Sequence, residues 1–140
     1  MAITSAFCTS AKSEFLQGTH TSADTYKIAL YTSAASLDAT TTAYTATGEV
    51  ANGNGYATGG TTLTGFSVTT SGTTAILDFT TDPSWANSTI TARGALIYNS
   101  SKTNKAIAVY DFGADKTSSN GTFTVQFPLP DAANGLLRIA

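Results

Sequence analysis

Residues 90–113, ITARGALIYNSSKTNKAIAVYDFG, constrain this chain more than any other stretch. Two short runs rich in β-formers, 94–98 and 106–110, flank the polar segment 99–105 and read as a hairpin. A strand with one solvated face alternates apolar and polar residues. That alternation is missing here. Ala95 and Ile97 take one side of the first strand while Leu96 and Tyr98 take the other, and Ala106, Ala108 and Tyr110 oppose Ile107 and Val109. Both faces of the hairpin therefore require cover. The chain's own helix, a second sheet or another protein can supply it. In the first reading the hairpin is the middle of a sandwich core. In the second, one face is a seam between subunits, and Leu96, Tyr98, Val109 and Tyr110 are the residues to line it.

A chain of 140 residues is the length of one domain and buries enough apolar surface to need no disulfide. The single cysteine, Cys8, rules out an intrachain disulfide and a cysteine-built zinc site, and in an apolar stretch it reads as a buried side chain. Charged residues make up 11% of the chain, against ~25% in ordinary soluble domains. Solubility rests instead on 27 threonines and 14 serines, a composition that suits strands and turns. The net charge of −2 carries no basic footprint for nucleic acid. No apolar run approaches the ~18 residues of a membrane span, and no basic and apolar signal segment opens the chain, so it is expected to be made in a cytoplasm.

In chain order, the sequence predicts a helix over about 6–17, capped by Thr4 or Ser5 and stopped by Gly18, with Phe7, Ala11 and Phe15 at spacing four and Leu16 beside them. His20 follows in a polar turn and reads as a plain surface or loop histidine. A strand over 25–31 sets Tyr26, Ile28 and Leu30 against Lys27, Ala29 and Tyr31. Residues 33–48 form a long loop. In 49–60 the NGNGY stretch reads as turns around a short strand, because no lysine follows to complete a phosphate loop. Residues 61–69 read as one strand with a bulge at Gly65, and 73–79 as another. Residues 81–87, with Pro83, read as a connection in which Trp85 is a core or edge anchor. Residues 111–121 are a second connection, 122–127 a strand that buries Phe123, Val125 and Phe127, and 136–139 a last strand. One short N-terminal helix followed by seven or eight short strands predicts an all-β, single-domain β-sandwich or jelly roll over residues 1–140.

Chemistry-bearing patterns are sparse. One histidine, one cysteine and no G-x-S-x-G leave the roles of nucleophile, base and orienter unfilled, so the chain reads as no enzyme and needs no cofactor. Asp111 and Asp115 bracket a glycine but supply only fragments of a calcium loop. A carbohydrate-binding sandwich would show an exposed aromatic platform near Trp85, Tyr44 or Tyr56.

Five segments in order, MAITSAFCTSAKSEFLQGTH, YKIALYTSAASL, ITARGALIYN, DFGADKTSSNGTFTVQFP and GLLRIA, resemble the small structural proteins of tailed bacteriophages, and among them the jelly-roll cement or decoration proteins of phage heads. The resemblance implies a non-catalytic virion protein. It would bind and stabilise the shell of major capsid protein, act as a homodimer, and reside in the virion after assembly in the host cytoplasm. A tail or fibre component and a carbohydrate-binding module are the alternatives.

Overall fold

The computed structural model describes residues 2–131 and 133–139. In chain order its elements are β1 (Ala6–Phe7), α1 (Thr9–Leu16), β2 (Tyr26–Tyr31), β3 (Thr61–Thr62), β4 (Phe66–Ser71), β5 (Thr74–Phe79), β6 (Ser84–Ser88), β7 (Thr91–Asn99), β8 (Lys105–Thr117), β9 (Gly121–Thr124) and β10 (Leu137–Ile139). Strand makes up 45% of the chain and helix 6%, which makes this an all-β sandwich. The strands form a five-stranded sheet in the order β1-β8-β7-β2-β3, a three-stranded sheet β10-β5-β4, and the pair β6-β9. A jelly roll divides eight strands between two Greek-key sheets; here the sheets are unequal. No helix among the described residues is long and apolar enough to cross a membrane.

The hairpin sits at the centre. Leu96 pairs with Val109 and Ile97 with Ala108, while β2 closes the other side through Ile28 opposite Ile97 and Ala29 opposite Leu96. Leu96 and Val109 are 0% exposed and Tyr98 is 3% exposed within this one chain. The seam reading is therefore corrected for these three, whose side chains the chain's own segments cover among the described residues. Tyr110 is half-buried, and its hydroxyl donates to the Leu136 carbonyl at 3.0 Å.

Each face has a different cover. On the side of Tyr26, Ile28 and Leu30 lie the three-stranded sheet and the segment around α1. Tyr26 stacks on Phe66 at 5.3 Å between ring centroids and meets Phe79 at 5.6 Å. On the side of Ala29, Tyr31, Leu96 and Tyr98 lies the segment 32–60, through Tyr44 stacked on Tyr98 at 4.8 Å. The β6-β9 pair closes one end, with Trp85 packed between Tyr56 and Phe123 at 6.0 and 6.1 Å.

Several boundaries depart from expectation for reasons of pairing. Ala6 and Phe7 are a strand, not the first helical turn, because they pair with Val109 and Ala108 on the open side of β8. The helix begins only after Cys8, and Ala11 is the residue it buries. It ends as expected at Gly18, whose φ of 76° allows Gly18 N–H to reach Phe15 O and Thr19 N–H to reach Glu14 O. At Gly65 there is a change of sheet instead of a bulge: β3 pairs with β2 and β4 with β5. A side chain at Gly65 would overlap the Thr80 hydroxyl. Residues 84–88 are a strand, since Pro83 precedes the pairing of Trp85 with Phe123. Residues 111–117 continue β8, and a register shift opposite Ala92 and Gly94 absorbs the extra residues around Gly113. β9 stops at Thr124, although Phe123 and Phe127 are buried as the alternation predicts.

Candidate interaction surface

Two polar networks hold the loops against the sandwich, and each claims residues that could otherwise do chemistry. The first centres on Glu49. Its Oε2 accepts the Tyr44 hydroxyl at 2.6 Å, and its Oε1 accepts the Tyr56 hydroxyl and the Gly59 N–H, both at 2.7 Å. Tyr56 in turn accepts the Leu30 N–H at 2.9 Å, Tyr98 donates to Gly59 O at 2.7 Å, and Tyr31 donates to Thr45 O at 2.7 Å. Burial, followed by the hydrogen bond each donates to Glu49, pushes the Tyr44 and Tyr56 phenols far above their ordinary value. The Asn54-Gly55 turn has both central residues at positive φ, as a tight hairpin turn requires, and delivers Tyr56 back to the sheet.

The second network leaves His20 in a loop, as expected, but not at the surface. It is 6% exposed, wedged against the Phe15 ring at 4.9 Å. The helix-ending turn at Gly18 brings it back over Glu14, where Nε2 lies 3.0 Å from Oε1. Its Nδ1 lies 3.0 Å from the Asn99 amide nitrogen. Asn99 is oriented independently: its Oδ1 accepts the Ser101 N–H and its Nδ2 donates to Asp24 Oδ2 at 2.8 Å. His20 Nδ1 must therefore accept, and Nε2 carries the proton donated to Glu14. Both ring nitrogens are engaged, neither with a hydroxyl or thiol, so the histidine joins α1, the 19–25 turn and the β7–β8 turn. Asn99 is 0% exposed. Its place directly after a run buried on both faces was the one available signal for it.

The remaining singled-out residues fall as follows. Cys8 is 0% exposed, and burial, with Asp38 nearby, pushes its thiol up to about 11. The Gly113 N–H and Arg93, at 2.9 Å, hold Asp111 below the usual carboxylate range. Trp85 and Tyr56 are buried at 6% and 3% exposure, and Tyr44 lies against Tyr98, so these rings form no exposed platform. Among the described residues no group of three His, Cys, Asp or Glu side chains stands close enough to hold a metal ion.

Part of the remaining surface is apolar. A cleft of about 270 Å³ opens between α1 and the three-stranded sheet, lined by Phe7, Phe15, Phe66, Val68, Leu77 and Ile139. Its size falls just under the ~300–1,000 Å³ of small-molecule sites, so it has room for the apolar side chains of a partner. Val68 and Ile139 on its rim are 59% and 54% exposed. Large apolar side chains grouped at one opening of an otherwise hydroxyl-rich surface mark a contact surface. Comparison with protein-family models, curated proteins and solved structures finds no match for the chain.

Proposed function

We propose that this chain is a virion structural protein of the head cement or decoration type, a homodimer that binds the shell of major capsid protein and stabilises it without catalysis. The observation that carries the reading is the apolar opening bounded by Phe15, Val68 and Ile139, on a sandwich whose histidine and central glutamate are engaged in holding its own loops. The five segments that resemble phage structural proteins lend it further support. Cementing of this kind is a matter of mass action. A protein that binds only the assembled shell stabilises it by about 2.7 kcal/mol per site at a hundredfold excess over Kd. Many copies on one shell add their modest contributions.

Light scattering after size exclusion tests the proposal, with the purified chain run alone and then with empty shells of the phage that encodes it. Co-migration with the shells and a rise in their melting temperature are expected. A chain that leaves shells unbound and their melting unchanged overturns the reading.

A further inference from the structure

The five-stranded sheet is met on its outer flanks along β2 and the first half of β8. Along β2, Leu30 N–H meets the Tyr56 hydroxyl, Leu30 O accepts from Val50 N–H, and Tyr26 O accepts from Leu63 N–H. Along β8, Ile107 O accepts from Cys8 N–H, Ala106 N–H reaches Thr42 O, and Asn104 O accepts from Tyr44 N–H. The outer flank of β4 is different. Among the described residues β4 pairs with β5 alone, over six consecutive residues from Phe66 opposite Phe79 to Ser71 opposite Thr74. Protein edges are ordinarily guarded by charge, proline, a bulge or shortness. The sequence FSVTTS has no charge and no proline, and its register with β5 is unbroken.

We infer that β4 is the dimer seam, pairing antiparallel with β4 of a second copy about a two-fold axis at Val68. The inference rests on the proposed homodimer and gives it an address. The register follows from peptide geometry. Gly65 O accepts from Thr80 N–H and so points at β5. The N–H of the same planar peptide, that of Phe66, points outward. Strand alternation then turns the main-chain groups of Phe66, Val68 and Thr70 outward and those of Ser67 and Thr69 toward β5. Centring the pair on Val68 uses all three outward residues: Val68 faces its counterpart, and Phe66 faces Thr70 on both sides. The apolar row Leu137–Leu77–Val68 then runs on into the same row of the second copy.

Charge selects a second copy as the occupant. Nothing on β4 repels itself, and a chain with 11% charged residues and net charge −2 offers little long-range opposition to self-association. The contact is isologous, so it closes as a dimer instead of growing into a fibre.

Sedimentation of the wild type, Val68→Lys and Thr70→Pro tests the seam. Both positions are exposed, and a proline whose missing N–H faces outward leaves the β5 ladder intact, so melting temperature serves as the check on folding. Each substitution is expected to raise the dimer Kd by about tenfold or more, since like charges meet at the axis in one and outward hydrogen bonds are lost in the other. In parallel, a short bifunctional thiol reagent is expected to join Val68→Cys chains and to leave Leu16→Cys chains single; Cys8, fully buried, stays silent. A dimer untouched by both substitutions places the seam elsewhere and overturns the inference while the homodimer stands. A wild type that is monomeric at every concentration overturns the homodimer and the inference together. A monomer whose shell binding is lost in Thr70→Pro, a position outside the cleft lining, assigns the edge to a foreign strand, which also overturns pairing with a second copy.

Discussion

The two faces of the central sheet are covered by opposite means. Over Tyr31, Leu96 and Tyr98 lies the segment 32–60, which has no helix or strand among the described residues, only isolated bridges. Over Tyr26 and Tyr110 lies a regular three-stranded sheet with the helix beside it. The irregular cover is the tighter one. It hydrogen-bonds to the flank of β2, anchors four tyrosines and leaves Tyr98 3% exposed. The regular cover leaves the 270 Å³ cleft and the open edge of β4. Regular structure satisfies its own backbone and so makes few demands on its neighbours. A loop must find partners for every buried N–H and C=O, and finding them ties it down.

Alkali should break the contrast most completely. All six tyrosines, Tyr26, Tyr31, Tyr44, Tyr56, Tyr98 and Tyr110, are pushed above the ordinary phenol value, burial being the leading cause in each. Cys8 is raised from 9.0 to about 11. A raised folded value means that the unfolded chain releases protons first. The stability is fully present below pH 9 and falls between 9 and 11 through Cys8, then more steeply above about 10 through the phenols. Phenolate absorbance should rise together with the loss of tertiary circular dichroism. Phenolate at Tyr31, Tyr44, Tyr56 or Tyr98 appearing while the fold persists would show that the loop-covered face is open to solvent.

Substitutions separate the faces next. Tyr98→Asp puts a charge beneath the loop and removes both the stacking on Tyr44 and the bond to Gly59 O. A loss above about 4 kcal/mol is expected, which abolishes folding in denaturant titrations. A folded Tyr98→Asp chain that merely changes from dimer to monomer would restore the seam reading of the hairpin. Leu96→Ala should cost about 3 kcal/mol by the cavity it leaves. Glu49→Ala should cost about 2 kcal/mol, because two phenols and an amide lose their acceptor, whereas Glu49→Gln should cost about half as much. Hydrogen exchange at Gly59, whose N–H Glu49 accepts, would sharpen this by rising in the alanine variant. On the exposed side of α1 the effect should nearly vanish: Leu16→Ser should stay within about 0.5 kcal/mol, since that side chain is 86% exposed. A larger loss would mean that this face is sealed in solution.

Local pattern reached a definite part of the molecule. The doubled apolar runs at 94–98 and 106–110 announce a strand pair buried on both faces, Gly18 announces the end of the helix, and Asn54-Gly55 announces a tight turn, because each depends on residues adjacent in the chain. It failed where pairing decides. Ala6 and Phe7 carry helical spacing yet serve as an edge strand, and Trp85 lies in a strand that Pro83 hid. The largest misreading was His20. Its partner Asn99 lies 79 positions away, so no window along the chain contains the pair. Glu49 is hidden for a different reason: Tyr44 and Tyr56 stand only five and seven positions from it, but they lie in an irregular loop with no period to show that their side chains converge.

The sequence alone determined that this protein is an all-β sandwich around one hairpin covered on both faces, because the apolar period and turn chemistry are local quantities. Only the tertiary structure decided that the chain supplies that cover itself, that its histidine and central glutamate bind loops in place, and that β4 keeps an open edge. Those outcomes depend on which distant backbone and side-chain groups meet, and a buried polar group is satisfied by whatever donor or acceptor the fold brings to it.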